Sequence, residues 1–155
     1  MLRQGEPAPQ FELPNAEMSM VSLDALRGKG IVVLYFYVKD DMPGCTLEAI
    51  DFTDHEDAFR RLDARVIGIS MDDCLAHCAF RDKHGLAVEL LSDADGEICR
   101  RYGVLQEKQF EGGSRCVVQR STFIIDRQGR VACAMYGVSA RGHVREVLNI
   151  LEGMQ

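Results

Sequence analysis

The 155-residue chain is long enough for one domain with a sizeable core, and its 46% apolar and 27% charged residues are typical of globular proteins. A net charge of −6 argues against nucleic acid as a partner, because phosphate binding needs a basic surface. There is no run of about 18 apolar residues, and the first ten residues lack the apolar core of a signal peptide. We therefore expect a single domain over residues 1–155, cytoplasmic and without a membrane partner.

The elements predicted before the middle of the chain alternate between strands and helices. An extended segment, Pro7–Pro14, precedes a short helix, Leu23–Arg27, with Ser22 as its N-cap; a buried strand, Ile31–Tyr37, and a helix from Pro43 to about Asp63 follow. Next come a strand, Arg65–Ser70, a helix capped by Asp72 or Asp73 and ending at Gly85, and a strand, Val88–Leu91. In the helix ending at Gly85, the spacing places Leu75, Ala76, Ala79 and Phe80 on the inner face.

The remaining elements close the predicted fold. A short helix ends near Tyr102, Gln109–Cys116 is predicted as a loop, two strands at Arg120–Asp126 and Arg130–Tyr136 form a hairpin, and the last helix spans Arg141 to about Glu152. Strands that alternate with helices indicate parallel pairing, and the closing hairpin adds an antiparallel pair. We predict an α/β fold with a mixed central β-sheet flanked by helices on both faces.

Cysteine usage narrows the possible chemistry. The six cysteines are Cys45, Cys74, Cys78, Cys99, Cys116 and Cys133, so no CxxC pair exists. This pattern argues against a thiol–disulfide oxidoreductase with a dithiol motif and against a zinc knuckle. In a chain without an export signal we expect these thiols to be mostly reduced.

Cys45 has the most informative local context. The buried strand Ile31–Tyr37 is followed by a polar break and then by Pro43-Gly44-Cys45-Thr46, and proline is favoured in the first turn of a helix. Cys45 is therefore predicted in the first turn of a helix that leaves the C-terminal end of a central strand. Unpaired N–H groups and the helix dipole favour a thiolate there. The alternative is a buried structural cysteine.

YFYVKDDMPGCTLEAIDF, followed later by QRSTFIIDRQGRV, resembles the peroxiredoxins, and more narrowly their bacterioferritin comigratory protein, or Q-type, branch. GEPAPQFELPN, LLSDADGEICRRYGV and GHVREVLNIL extend the resemblance over nearly the whole chain. The resemblance implies a thioredoxin-like fold and a peroxidase that reduces hydrogen peroxide and organic hydroperoxides with electrons from thioredoxin or a similar dithiol, without a cofactor. It assigns the reactive cysteine to Cys45 and the active-site arginine to Arg120.

The chain departs from the family pattern at two positions of Pro-x-x-x-Thr-x-x-Cys, which here are Val38 and Met42. The family threonine hydrogen-bonds the bound peroxide, whereas a methionine thioether is only a weak acceptor. Weaker peroxide activation is expected, and a degenerate redox sensor or binding module with little turnover is the alternative. The positions at which relatives carry a resolving cysteine are occupied by Ile50 and Arg81.

The resemblance also suggests roles for the neighbours of Cys45. Arg120 would stabilise the thiolate and the charge that develops on the peroxide. Glu48, one turn after Cys45, would orient Arg120 or serve only as a first-turn acid beside the helix dipole. Asp40 and Asp41 oppose the thiolate in sign, and we expect them to be solvated and screened.

Three routes remain open for resolving an oxidised Cys45. Cys78 and Cys74 lie four residues apart on one helix face, and Cys78, which is nearer to the position used by some relatives, is preferred. Either would have to approach Cys45 by local unfolding. A one-cysteine mechanism with an external thiol is the third route. The chain would act as a monomer or a homodimer.

Histidines receive minor assignments. A metal site at Cys74, His77, Cys78 and His84 is considered, because helical i, i+3 and i+4 spacing can bring such ligands together, but spacing does not fix a fourth ligand and no metal is expected. His55 and His143 are interpreted as surface residues.

Overall fold

The structure is a computed structural model that describes residues 1–155. Its nine strands are β1 (Glu12–Pro14), β2 (Met20–Ser22), β3 (Ile31–Phe36), β4 (Ala64–Ser70), β5 (Glu89–Ser92), β6 (Leu105–Phe110), β7 (Gly113–Val118), β8 (Ser121–Ile125) and β9 (Val131–Tyr136). Its six helices are α1 (Leu23–Leu26), α2 (Pro43–Asp54), α3 (Glu56–Arg61), α4 (Cys74–His84), α5 (Glu97–Arg101) and α6 (His143–Gly153). None of these helices is long and apolar enough to cross a bilayer.

A five-stranded sheet in the order β5-β4-β3-β8-β9 forms the centre of the fold. β3, β4 and β5 run parallel, and β8 runs antiparallel to both of its neighbours, β3 and β9. The predicted mixed sheet is thereby confirmed. β1 pairs with β2, and β6 pairs with β7, in two smaller antiparallel sheets.

Side chains of β3 alternate between two apolar cores. Val32, Leu34 and Phe36 pack on the face covered by α1 and α5, whereas Ile31, Val33 and Tyr35 pack on the face covered by α2, α3, α4 and α6. All six side chains are buried, as expected for a strand with period-two alternation between two covered faces. Helices therefore flank the sheet on both faces, as predicted.

The structure corrects two helix predictions. The helix predicted from Pro43 to about Asp63 is two helices, because His55, with φ −105° and ψ 14°, interrupts it between α2 and α3. In α4, Leu75 is 71% exposed, and the buried residues are His77 and Phe80. The caps agree better: Ser22 Oγ accepts from the Ala25 N–H, and the Asp73 carboxylate accepts from the Ala76 N–H.

The loop predicted over Gln109–Cys116 is instead part of the β6–β7 hairpin. Most of its side chains are exposed, so no apolar face produces the alternating pattern by which a strand is recognised. Glu111 and Gly112 form its turn, where Gly112 has φ of 95°, and Gly113, with φ of 143°, begins β7.

Candidate active site

Cys45 is the third residue of α2, directly beyond the C-terminal end of β3. Pro43 occupies the first helical turn, as the sequence predicted. The antiparallel register pairs Phe36 with Ser121, so Arg120, which precedes β8, comes level with the end of β3. Two segments that are 75 residues apart in sequence thereby meet at one edge of the sheet.

A guanidinium bridges the cysteine and a carboxylate. Arg120 Nη2 lies 3.3 Å from Cys45 Sγ, and Arg120 Nη1 donates to Glu48 Oε1 at 2.6 Å. Cys45 is 1% exposed and Glu48 is fully buried, whereas the Arg120 side chain is 15% exposed. The arrangement holds a cation against the sulfur, and the guanidinium is the one of the three groups that is partly exposed to solvent.

The charges at this site shift one another's pKa values. Burial raises the pKa of Glu48 from 4.5 to about 7, although Arg120 pulls it down. For Arg120, burial alone lowers the pKa, but the charges of Glu48 and Cys45 outweigh burial, so the pKa is raised. The guanidinium is therefore a permanent positive charge beside the sulfur.

The N-terminus of α2 adds partial positive charge to that of Arg120. Met42 is the N-cap residue and makes no side-chain hydrogen bond to the first turn. N–H groups of that turn consequently stay free to face a negative sulfur or a bound anion. Gly44 contributes through its size, because a Cβ at this position would lie 3.2 Å from Arg120 Nη2.

The loop between β3 and α2 contains the two departures from the family pattern. Val38 is partly buried against the core beneath α2, whereas Met42 is 42% exposed. The expectation of a solvated Asp40 is wrong: its side chain is 6% exposed and accepts from the Tyr37 hydroxyl at 2.6 Å. Asp41 is 46% exposed and contacts Lys83 and His84 of α4.

The candidate resolving cysteines lie on α4 and do not contact Cys45. Cys78 Sγ is 3.6 Å from Arg81 Nη2 and 3.7 Å from Asp82 Oδ2, and both Cys78 and Cys74 are partly buried. All six cysteines are free thiols in this structure.

The four residues of the possible metal site do not converge. His77 faces Asp40, His84 Nε2 lies 2.9 Å from Asp41 Oδ1, and Cys78 contacts Arg81 and Asp82. Ligand atoms of Asp40, Asp72 and His77 do lie within 4.8 Å of one another. Direct hydrogen bonds among these three and their neighbours account for that closeness.

The interpretation of His143 as a surface residue is also wrong. It is 3% exposed, and its Nε2 lies 2.7 Å from Thr122 Oγ1, on the strand that follows Arg120. Burial lowers the pKa of His143, and Arg120 lowers it further while Glu146 raises it. Its position as the first residue of α6 carries no sequence signal of burial. His55, in contrast, is partly exposed.

Comparisons with known proteins agree with the fold. The model of the AhpC/TSA family matches residues 4–134. The chain is 44% identical to a putative peroxiredoxin of Coxiella burnetii over 95% of this chain and 97% of that protein. It is 39% identical to peroxiredoxin Bcp of Bacillus subtilis over 97% of this chain and 95% of the relative.

Two solved structures are similar over most of their length. The Xanthomonas campestris bacterioferritin comigratory protein, a structure concerned with alkyl peroxide reduction, shares 34% identity, covers 93% of this chain and 91% of its own, and has a TM-score of 0.88. A peroxiredoxin Q mutant of Xylella fastidiosa shares 30% identity over 99% of this chain and 98% of its own, with a TM-score of 0.92. The chain thus has the thioredoxin-like peroxiredoxin fold, and it belongs to the AhpC/TSA family, in its bacterioferritin comigratory protein, or Q-type, branch of peroxiredoxins.

Proposed function

We propose that Cys45 is the nucleophile of this thiol-dependent peroxidase and that Arg120 stabilises the charge that develops during its reaction. The observation that carries the proposal is the 3.3 Å contact between Arg120 Nη2 and Cys45 Sγ at the first turn of α2. A cation 3.3 Å from the sulfur and the unpaired N–H groups of the helix start would stabilise negative charge on the sulfur and on the oxygen that it attacks. A structural cysteine in an apolar core would not need either.

The chemistry follows from this arrangement. The Cys45 thiolate attacks the terminal oxygen of the hydroperoxide, the O–O bond breaks, and the remaining oxygen leaves as an alcohol or as water after it takes up a proton. Cys45 is oxidised to a sulfenic acid. Arg120 is positioned for the negative charge that moves onto the leaving oxygen. A thiol then reduces the sulfenic acid, releasing water and forming a disulfide, which a further thiol reduces.

We propose that Cys78 resolves the oxidised Cys45, with Cys74 and an external thiol as the other routes. Cys78 lies beside the Arg81 guanidinium, so a positive charge is available to the thiolate that would attack the Cys45 sulfenic acid and displace its oxygen as water. Because neither α4 cysteine touches Cys45, an intramolecular disulfide requires local unfolding of α4, of the first turn of α2, or of both.

The remaining proposals concern partners and location. A hydroperoxide and a thiol reductant are the substrates of the family, and we propose thioredoxin or another dithiol as the electron donor. The six free cysteines suit a reducing compartment, so we propose the cytoplasm, with the protein as a monomer or a homodimer.

A second candidate function rests on Met42 and Val38. Without the family threonine hydroxyl, the site should activate peroxide more slowly than relatives that keep it, by about tenfold or more for one hydrogen bond lost in the transition state. With turnover that slow, the protein would act as a redox sensor or binding module rather than as a scavenger. The two functions differ in whether peroxide is consumed catalytically when a reductant is present.

Peroxide oxidation of wild type and Cys45→Ser tests these roles. We expect wild type to form a Cys45–Cys78 disulfide, found by intact mass and peptide mapping, and Cys45→Ser to form none. A persistent sulfenic acid on Cys45 would contradict Cys78 as the resolver and favour an external thiol. A Cys45 that reacts no faster than the exposed Cys116 would overturn the peroxidase role. Steady peroxide consumption with a thioredoxin system distinguishes the enzyme from the sensor.

A further inference from the structure

One buried polar cluster holds the loop that leads into α2. The cluster consists of Tyr37, Asp40, Asp72 and His77. Asp40 Oδ1 accepts from the Tyr37 hydroxyl at 2.6 Å, and Asp40 Oδ2 lies 2.7 Å from His77 Nδ1. The Asp40 N–H donates to Asp72 Oδ2 at 2.9 Å, and the same oxygen accepts from Ser70 Oγ. Every polar atom of Asp40 except its backbone carbonyl oxygen therefore has a hydrogen-bond partner.

The surroundings of His77 define its protonation. The ring is fully buried, and its Nε2 lies 2.9 Å from the carbonyl oxygen of Leu91. A carbonyl can only accept, so Nε2 carries a hydrogen. At the other side, Asp40 Oδ2 lies 2.7 Å from Nδ1, and an ionised carboxylate carries no hydrogen, so beside the Asp40 carboxylate Nδ1 is the donor. Both ring nitrogens donate, which makes His77 an imidazolium paired with the Asp40 carboxylate.

We propose that His77 is a positioning residue that, as a buried imidazolium, holds the Val38–Met42 loop in place at the start of α2, the helix that carries Cys45. The ion pair joins the loop to α4, and the Leu91 contact joins the same ring to β5. The role rests on the proposed function of Cys45, because the loop ends at Met42, the N-cap residue of the helix that carries Cys45.

The loop needs such an attachment because part of its backbone is strained. Asp41 has φ of 65°, a left-handed conformation that residues other than glycine adopt rarely and at a cost of about 1 kcal/mol or more. Its side chain contacts Lys83 and His84 only at the surface, where ion pairs contribute little. The buried pair between Asp40 and His77 is the contact that water cannot screen.

Loss of the pair has a defined consequence. His77→Gln removes the charge and leaves a carboxylate that is 6% exposed without its counter-ion, which is more unfavourable than breaking a surface pair. The loop then opens more often, Met42 leaves the N-cap position, and Cys45 loses its fixed alignment with Arg120. The Asp40 N–H donates to Asp72, and the Thr46 N–H donates to the Met42 carbonyl oxygen. Both hydrogen bonds break when the loop opens, so hydrogen exchange at these two amides measures how often it opens.

The experiment compares His77→Gln with His84→Gln, a matched control on the same helix whose partly exposed ring contacts the same loop. We expect His77→Gln to speed amide exchange of Asp40 and Thr46 about tenfold and to slow the reaction of Cys45 with hydrogen peroxide by about the same factor, with His84→Gln within about twofold of wild type. Equal effects of the two variants would overturn the proposal.

Nitrogen NMR of the histidine rings tests the protonation directly. The two ring signals of His77 are identified by their absence from the spectrum of His77→Gln. At neutral pH we expect both of these nitrogens to carry a hydrogen. A ring with only one protonated nitrogen would overturn the proposal. If His77→Gln fails to fold, Asp40→Asn takes its place as the test variant. Amide exchange of Thr46 at the wild-type rate in Asp40→Asn would also overturn the proposal. A wild-type protein that ignores peroxide would refute the function of Cys45, whereas the exchange and NMR results would still decide the role of His77.

Discussion

Glu48 binds Arg120 through one carboxylate oxygen, Oε1 to Nη1 at 2.6 Å, while its other oxygen, Oε2, is buried without a hydrogen-bond partner. A single hydrogen bond from Glu48 thus holds the guanidinium that reaches Cys45. The Glu48 carboxylate itself is left with one oxygen that no protein group binds. This combination explains why the pKa of Glu48 rises to about 7 despite the adjacent cation.

Glu48→Gln should flatten the dependence of stability on pH. Below pH 4.5 the Glu48 carboxyl is protonated in both the native and the unfolded chain. Between pH 4.5 and about 7 it stays protonated only in the native chain, so the stability that the bound proton contributes is lost as pH rises through this range. The shift from 4.5 to about 7 corresponds to about 3 kcal/mol. Denaturant unfolding from about pH 5 to about pH 8 measures it.

The control for this change is Glu56→Gln on α3, where the side chain is 44% exposed. We expect that variant to keep the wild-type dependence on pH. A Glu48→Gln profile as steep as that of wild type would show that Glu48 titrates near its ordinary value, and Arg120 would then face a permanently charged carboxylate.

Gly44→Ala should separate activity from stability. The new Cβ would lie 3.2 Å from Arg120 Nη2 and push the guanidinium away from Cys45, so we expect the rate constant for peroxide to fall about tenfold. Stability should stay equal or rise by up to about 1 kcal/mol, because Gly44 is within α2 and alanine is the better helix former. Peroxide kinetics and denaturant unfolding are measured on the same samples.

Gly153→Ala in α6 is the matched control, since nothing lies within 4 Å of a Cβ there. It should change stability by a similar amount without changing the peroxide rate. A Gly44→Ala variant with wild-type kinetics would mean that the position of Arg120 is not critical for the reaction of Cys45.

Local sequence signals were sufficient for some of these features and not for others. The apolar run of β3 and the proline at Pro43 place Cys45 at a helix start, because both signals act within a few residues. Arg120 was assigned by the family resemblance, since its contact with Cys45 spans 75 residues and depends on the register of β3 with β8. No periodicity encodes such a contact.

The buried histidines and the exposed hairpin were missed for two different physical reasons. His77 and His143 are buried by partners 37 and 21 residues away, and a polar residue on an amphipathic helix looks like a surface residue until its partners are known. The β6–β7 hairpin is stabilised by backbone pairing and has too few buried side chains to produce an alternating pattern.

His143→Gln should remove a pH dependence of the opposite sign to that of Glu48. Burial lowers the pKa of native His143 below 6.5, so as pH falls through 6.5 the unfolded chain takes up a proton that the native chain refuses, and stability is lost. Glutamine can still donate to Thr122 Oγ1 but does not titrate. Unfolding measured below about pH 6.5 should therefore show a smaller loss of stability in the variant.

His55→Gln provides the comparison, because His55 is partly exposed on α2's C-terminal side and should leave the acid limb of the profile unchanged. If His143→Gln and His55→Gln behaved alike, the acid sensitivity would have to come from another group. A fall in stability at every pH would instead indicate that glutamine cannot replace the hydrogen bond to Thr122.

Met42→Thr should improve both the site and the helix. A threonine hydroxyl at this N-cap position can accept from a first-turn N–H, which Met42 does not do, so we expect a gain of about 1 kcal/mol in the free energy of unfolding. The same hydroxyl can donate to a bound peroxide, and the rate constant for Cys45 oxidation should rise about tenfold. Stopped-flow competition with a second peroxidase measures that rate.

Met20→Thr on β2, where the methionine is 56% exposed and distant in sequence from Cys45, is the control for a methionine-to-threonine change as such. It should leave the peroxide rate unchanged. A Met42→Thr variant that gains stability without gaining rate would separate the two roles of the position: the hydroxyl would cap α2, but the slow step would lie elsewhere. In that case the missing threonine would not limit the rate of Cys45 oxidation, and Val38 would be the departure to restore next, by Val38→Pro.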